Sequence, residues 1–158
     1  MSNVYVISDL HLGHKNILKF AAQWRHGTTI QEHDDWVVES WNTVVTKRDV
    51  VYCLGDVAFS TDALERVAAL RGQKMLIMGN HDKYPIETYL RLFARIRPSP
   101  FSYKGFWLSH CPIHPAELRG RRNIHGHVHH NTIPDDRYVN VSVEAVGGYP
   151  RLLSSIKK

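Results

Sequence analysis

Three short apolar runs in the first half of the chain each stop at polar residues. Val4-Tyr5-Val6-Ile7 stops at Ser8-Asp9, Val50-Val51-Tyr52-Cys53-Leu54 at Gly55-Asp56, and Lys74-Met75-Leu76-Ile77-Met78 at Gly79-Asn80. Runs of this length, rich in β-branched and aromatic residues, predict buried strands. Amphipathic stretches separate them. Thr29-Ile30-Gln31-Glu32 is a capping box, with Thr29 as N-cap and Glu32 three residues on. Ile30, Val37, Trp41 and Val44 then follow helical spacing, which predicts a long helix to about Thr46. Asp62 with Glu65 opens another helix that Gly72 stops. Pro85 suits the first turn of a short helix.

The second half reads as more strand-like. Phe101 to Tyr103, Phe106 to Ser109, Arg122 to Ile124 and Tyr138 to Val143 are candidate strands joined by short connections. In the last of these, Tyr138, Asn140 and Ser142 alternate with Val139, Val141 and Val143. The order is βαβαβα followed by mostly antiparallel β, which makes the fold class α/β. No internal repeat, low-complexity tract or linker interrupts it. The 158 residues predict one domain over 1–158.

Composition adds limits. No apolar run approaches the roughly 18 residues of a membrane helix. Met1-Ser2-Asn3-Val4 lacks the basic region of a secretory signal. The two cysteines, Cys53 and Cys111, make no disulfide framework, so a cytoplasmic setting is expected. Of the four Trp residues, Trp36, Trp41 and Trp107 read as core and Trp24 as surface. The net charge of +5 suits anionic partners, although a generic basic surface explains it equally well. The unusual number is eleven histidines, which solubility does not require.

Many of those histidines follow the strand ends. The endings are Asp9-Leu10-His11, Gly55-Asp56, Gly79-Asn80-His81-Asp82, Ser109-His110 and His125-Gly126-His127-Val128-His129. In open α/β sheets, ligands bind outside the carboxyl ends of strands, so five such endings could converge on one site. In extended chain, residues i and i+2 point the same way, which would aim Asp9 with His11, and His127 with His129, at one ion. Glycines 55, 79 and 126 allow close backbone approach. Imidazole with carboxylate suits Mn, Fe, Zn, Co or Ni better than Mg or Ca. A two-ion site needs a shared carboxylate, and Asp56, alone on its strand end, is the natural bridge. Each piece by itself is commonplace: Asp-x-His is more often an ordinary turn, and Gly-Asn is a common turn pair. Five in this order, each after an apolar run, are hard to explain by chance.

The set D-x-H, G-D, G-N-H-D, H and G-H-x-H resembles the calcineurin-like metallophosphoesterase superfamily. Ser8 to Ile17 is similar to its small prokaryotic and phage-borne members, and the resemblance runs from Val4 to about Pro150. It implies a four-layer α/β/β/α sandwich of two mixed β-sheets with a dimetal site at the strand C-terminal ends. It implies that Asp9, His11 and His129 hold one ion, that Asn80, His110 and His127 hold the other, and that Asp56 bridges them. The two ions would be divalent transition metals, manganese first, with Fe, Ni, Co or Zn as alternatives. His81 would protonate the leaving oxygen while Asp82 orients it from behind, and a hydroxide held between the ions would attack phosphorus. One departure matters. Relatives that act on proteins carry G-D-x-x-D-R-G, whereas this chain has Gly55-Asp56-Val57-Ala58-Phe59-Ser60, without the phosphate-clamping Arg.

A chain this short leaves no cap domain, and an open site suits phosphodiesters such as 2′,3′-cyclic nucleotides or RNA and DNA ends. The expected partner is therefore a nucleotide-type phosphoester, with no membrane and no obligate protein. Arg119, Arg121 and Arg122 could grip phosphate or form a solvated loop. His14, Lys15 and Asn16 could border the pocket or simply start a helix. His125 reads as structural, His26, His33 and His130 as surface, and His114 as part of a loop. A phosphomonoesterase or nucleotide pyrophosphatase on the same site is the alternative activity. A protein-interaction module on this fold is the alternative of another class, though the full ligand set weighs against it. A structural zinc domain is a poor match, since there is no C-x-x-C.

Overall fold

A computed structural model describes residues 1–158. The alternation along the first three predicted strands explains how they stack. In β1 (Val4–Ile7), β2 (Val50–Cys53) and β3 (Gln73–Ile77), successive side chains face opposite sides. Tyr5, Ile7, Val51, Cys53 and Leu76 face a helical layer, where they pack with Val37, Trp41, Leu64 and Val67. Val6, Tyr52, Met75 and Ile77 face the other way and pack with Phe106, Leu108, Ile124 and Val139 of a second sheet. Each strand is apolar on both faces because it is buried on both.

The first sheet has the order β4-β3-β2-β1-β9. β1 to β4 are parallel, and β9 (Arg151–Leu152) is antiparallel to β1. β4 (Arg95–Arg97) carries one apolar residue between two arginines, so hydropathy gives no sign of it. The helical layer is built from α2 (Ile30–Val44), α3 (Thr61–Glu65) and α4 (Ile86–Leu90). The capping box at α2 forms as expected: the Thr29 hydroxyl accepts from Glu32 N at 3.2 Å, and Thr29 N donates back to the Glu32 carboxylate. α3 is capped by Ser60, two residues ahead of the expected Asp62, and tightens into a 3₁₀ turn over Arg66–Ala69.

The second sheet, β5-β6-β7-β8, corrects the expectation of mostly antiparallel pairing. Only β5 (Phe101–Tyr103) and β6 (Phe106–Leu108) pair antiparallel, through a tight turn. β7 (Arg122–His125) and β8 (Tyr138–Asn140) join in parallel. The connections over 109–121 and 126–137 are long enough to carry the chain back to the starting edge, which a short hairpin loop cannot do. The last predicted strand also stops early. It ends at Asn140, and the short helix α5 (Val143–Val146) begins where Val143 was expected to extend it. The outer face of this sheet is covered thinly, by the loop around the 3₁₀ turn Pro115–Glu117, through Trp107 Nε1 to Leu118 O and Tyr138 Oη to Ile113 O.

The two sheets meet at the carboxyl end of β1. Ser8 N donates to Val141 O at 2.9 Å, Val143 N donates to Ser8 O at 3.0 Å, and the Ser8 hydroxyl donates to Leu54 O. These bonds bring the C-terminal ends of β1, β2 and β8 together and set the place of the site. No helix is long and apolar enough to cross a membrane.

Candidate metal centre

Beyond Ile7 the chain leaves the extended conformation. Asp9 and His11 have φ of 60° and 52°, Asp56 has 53°, and His127 and His129 have 69° and 54°. Only seven non-glycine residues in the protein have positive φ, and five of them belong to the predicted metal set. The expectation that i and i+2 align in extended chain is therefore replaced. Paired left-handed residues with one residue between them aim the side chains instead. Such conformations cost on the order of 1 kcal/mol or more each and persist where surrounding bonds hold them. Here those bonds are Asp9 N to Gly55 O and His11 N to Asp56 O, both 3.0 Å, and His127 N to Asp9 Oδ2 at 2.9 Å. Gly79 and Gly126 complete the close approach: a Cβ at Gly79 would run into Asp56, and one at Gly126 into Ser8 and Asp9.

Seven side chains converge in two groups. His11 Nε2 lies 3.7 Å and His129 Nε2 4.0 Å from Asp9 Oδ1. His110 Nε2 lies 2.9 Å from Asn80 Oδ1, and His127 Nδ1 lies 3.1 Å from the same oxygen. Asp56 Oδ2 stands between the groups, 3.5 Å from His11 Nε2 and 3.5 Å from His110 Nε2. Asp9 Oδ2 accepts from His127 N and from the Ser142 hydroxyl, which leaves Oδ1 bare. Asp9 Oδ1 and His11 Nε2 are both buried without a hydrogen-bond partner. Buried polar atoms are almost always paired, so two orphans facing one another within carboxylate and imidazole groups fit a cation. Burial alone would push the Asp9 carboxyl up, but the His11 imidazole and the charge of His110 outweigh it and hold it well below the usual carboxylate range. Asp56 is lowered in the same way, against its own burial, mainly by His11 and His110.

Behind the first group lies a buried ion pair that the sequence did not disclose. Arg25 Nε donates to Glu144 Oε1 at 2.7 Å, Nη1 to Leu10 O at 2.9 Å and Nη2 to Asp9 O at 2.6 Å. Glu144 Oε1 also accepts from His129 Nδ1 at 3.0 Å, which leaves His129 Nε2 as the lone-pair nitrogen on the side of Asp9. Arg25 thus fixes the two carbonyls between which the left-handed residues turn, and Glu144 fixes the ring of His129. Burial would raise the Glu144 carboxyl, but His129 and Arg25 bring it down to about 2.

His33 belongs to the same network and is fully buried, contrary to its expected surface position. It accepts from Arg25 Nη1 at 3.1 Å, so its other nitrogen carries the proton donated to Asp34 at 2.8 Å. Asp34 in turn receives Gly13 N. Burial, helped by the Arg25 charge, pushes the His33 imidazole below its ordinary value. A histidine whose folded pKa is depressed contributes its full stability above the unfolded value of about 6.5 and loses it as pH falls toward the folded value. The melting temperature of metal-free protein should therefore drop from pH 7 to pH 5. In His33→Gln, which keeps an acceptor toward Arg25, part of that slope should vanish; an unchanged slope in calorimetry rejects the assignment.

Asp82 does not sit behind His81 as expected. Its carboxylate accepts from Asp56 N, Val57 N and Gly79 N at 2.7–2.9 Å, tying the turn after β2 to the turn after β3. Burial pushes its carboxyl up. His81 is exposed, with its backbone N on Asp56 Oδ1 at 3.0 Å and its ring 5.1 Å from Phe59. His14 Nδ1 meets His11 Nδ1 at 2.9 Å and stacks on Phe59 at 4.0 Å. Burial, then the charges of His11 and His81, bring the His14 imidazole down to about 4. Asn16 caps α1 (Ile17–Phe20) in position but makes no side-chain cap bond.

The basic cluster is not brought to these groups. Arg122 lies at the N-terminal end of β7, opposite His125, and is spent on Asp136 O and Lys157 O. Arg119 pairs with exposed Glu117, and Arg121 lies over Trp107. His125 is buried and bonds Gly126 O, as its reading predicts. Cys111 is an unexpected neighbour, its sulfur grouped with His110 and His127 ligand atoms within 4.8 Å.

Comparison with known proteins agrees with this architecture. A family model described as calcineurin-like phosphoesterase matches residues 2–151. An uncharacterized protein of Methanocaldococcus jannaschii is 32% identical over all of this chain and 91% of its own length. The gene 66 protein of Mycobacterium phage L5 is 31% identical over 93% of this chain and 89% of its own. Among solved structures, an Aquifex aeolicus protein of unknown function superposes with a TM-score of 0.78 at 26% identity, covering 99% of this chain and 98% of that one. Pseudomonas putida nuclease MPE shares the fold at a TM-score of 0.55 and 18% identity, over 80% of this chain and 61% of that one.

Proposed function

The chain belongs to the calcineurin-like phosphoesterase family, and from that premise we propose that it is a two-metal phosphodiesterase acting on nucleotide-type diesters. Membership carries the coarser statement, a metal-dependent hydrolase of phosphoesters. The observation that supports a pair of ions is the position of Asp56 Oδ2, equidistant at 3.5 Å from His11 Nε2 and His110 Nε2 between two ligand groups. Asp9, His11 and His129 would hold one ion, and Asn80, His110 and His127 the other. The mixed imidazole and carboxylate set favours manganese or its transition-metal neighbours over magnesium. When bound, such ions polarise phosphoryl oxygens and lower the pKa of water.

The chain's own residues supply the rest. The left-handed turns fix the ligands before substrate arrives, so little reorganisation is needed when charge develops at phosphorus. Asp56 holds the His81 backbone through Oδ1 while Phe59 limits the ring. His81 is then the group exposed at the rim that can give a proton to the leaving oxygen. Asn80, His81 and His127 are exposed, and a site with an exposed rim favours a phosphate with two organic substituents. The charge of +5 favours polyanionic nucleotides.

The test is a panel of 2′,3′- and 3′,5′-cyclic nucleotides, RNA, DNA and monoesters with Mn, Ni, Co, Zn and Mg. Diesters should turn over faster than monoesters with the same leaving group. The reverse order would assign a phosphomonoesterase, and turnover of none with metal bound would assign an interaction module. His81→Ala should slow turnover by roughly 100-fold with metal content unchanged. Full-rate turnover in that variant removes the proton-donor role.

A further inference from the structure

One cavity opens directly beside the ligand groups. It measures about 510 Å³ and is bounded by His11 and His129 on the metal side, by His81, and by His14, Phe59 and Phe20. Its size falls within the range that takes a nucleotide-sized ligand. His11 and His129 close one end, so the organic part of any phosphoester seated at the ligand groups has this space beside it.

The walls are flat rings. His14 lies parallel to Phe59, 4.0 Å away and 8° from coplanar, and His11 stacks on Phe59 from 4.8 Å. Phe20 borders them, its ring centroid 6.3 Å from that of His14 and its plane inclined by 60°. Its helix α1 turns Ile17, and the following Ala21, into the core at 2% exposure each, while Phe20 is left 69% exposed at the cavity. A phenyl with so little cover contributes nothing to the core. At the far side His130 stacks on Trp24, 3.9 Å apart and 7° from coplanar, and Asn131 adds an amide. An aromatic floor, an uncovered aromatic rim and one polar edge form the usual receptor for a heteroaromatic ring, which stacks by its faces and bonds by its edge.

We propose that this cavity is a base-binding subsite, in which the nucleobase of the substrate is held against Phe20 and the Phe59–His14 stack while its phosphate sits at the metal groups. The subsite rests on the phosphoesterase reading and deepens it. It selects nucleotides over diesters that lack an aromatic group, and it places Phe20 as a specificity residue that does not touch the reacting atoms.

The test reads binding, not turnover. Calorimetry on manganese-loaded protein compares a nucleoside 5′-monophosphate with ribose 5-phosphate. The base should tighten binding by about tenfold, the lower part of what base–aromatic stacking supplies. Phe20→Ala, at an exposed position whose loss leaves the fold intact, should abolish most of that advantage and leave ribose 5-phosphate unchanged. Phe20→Trp should keep it. If ribose 5-phosphate binds and the nucleotide gains less than twofold, or if Phe20→Ala preserves the gain, the subsite is overturned while the phosphate site stands. If neither ligand binds the loaded protein, the nucleotide reading of the site falls and the subsite falls with it.

Discussion

Asp56→Asn should lower turnover by roughly a thousandfold and cut metal affinity at least 100-fold. The substitution keeps the size of the side chain and leaves an oxygen to receive His81 N, which lies 3.0 Å from Oδ1. What it removes is the charge at Oδ2, the atom placed 3.5 Å from both His11 Nε2 and His110 Nε2. Loss of residues that merely support a ligand costs 10–100-fold in affinity, and loss of one shared by two ions should cost more. The melting temperature of metal-free protein should fall only modestly, by the loss of the attraction to His11 and His110 that lowers the Asp56 carboxyl. Manganese titration by calorimetry, with turnover measured on the same samples, checks the result. Normal affinity and rate in Asp56→Asn would remove the bridging role.

The second large effect is on stability. Arg25→Ala should destabilise the protein by about 3–5 kcal/mol, since it strands a buried carboxylate. Arg25 is 4% exposed and serves Glu144, His33 and the carbonyls of Asp9 and Leu10. For a chain of this length the loss corresponds to roughly 6–20 °C in melting temperature. Replacing both partners, as Arg25→Met with Glu144→Gln, should recover part of the loss, because no unpaired charge remains. A melting temperature in Arg25→Ala within 2 °C of the parent, on the scale of a surface pair at about 0–1 kcal/mol, would show that the pair is not stabilising.

Part of this was open to inspection in the chain. Val4–Ile7, Val50–Cys53 and the run at Met75 announce themselves by hydropathy, and Thr29 with Glu32 announces α2 by cap chemistry. The residues that follow those runs are the ones the fold brings together, because parallel strands align their carboxyl ends. The direction of β7 and β8 was hidden, since pairing sense depends on whether a connection crosses back, and periodicity is the same either way. β4 was hidden because Arg95 and Arg97 mask Ile96. Arg25, Glu144 and His33 were hidden for a different reason. Arg25 and Glu144 are 119 residues apart, and a buried ion pair leaves no local pattern. Asp82 shows the converse: its place beside His81 suggested a partner, but its carboxylate is consumed by three backbone amides.

The seam between the sheets has a further consequence. Asp9, His11, Asp56 and Asn80 follow strands of the first sheet, and His110, His127 and His129 follow strands of the second. Neither half holds the full proposed ligand set. Ions bound at the proposed set would act as rivets, making occupancy and docking of the halves a single equilibrium. Stability would then rise with the logarithm of free metal concentration. Chelation loosens the joint at this end first, and amide exchange there should quicken ahead of the helical layer. A cell that starves the protein of metal would thereby mark it for proteolysis as well as silence it.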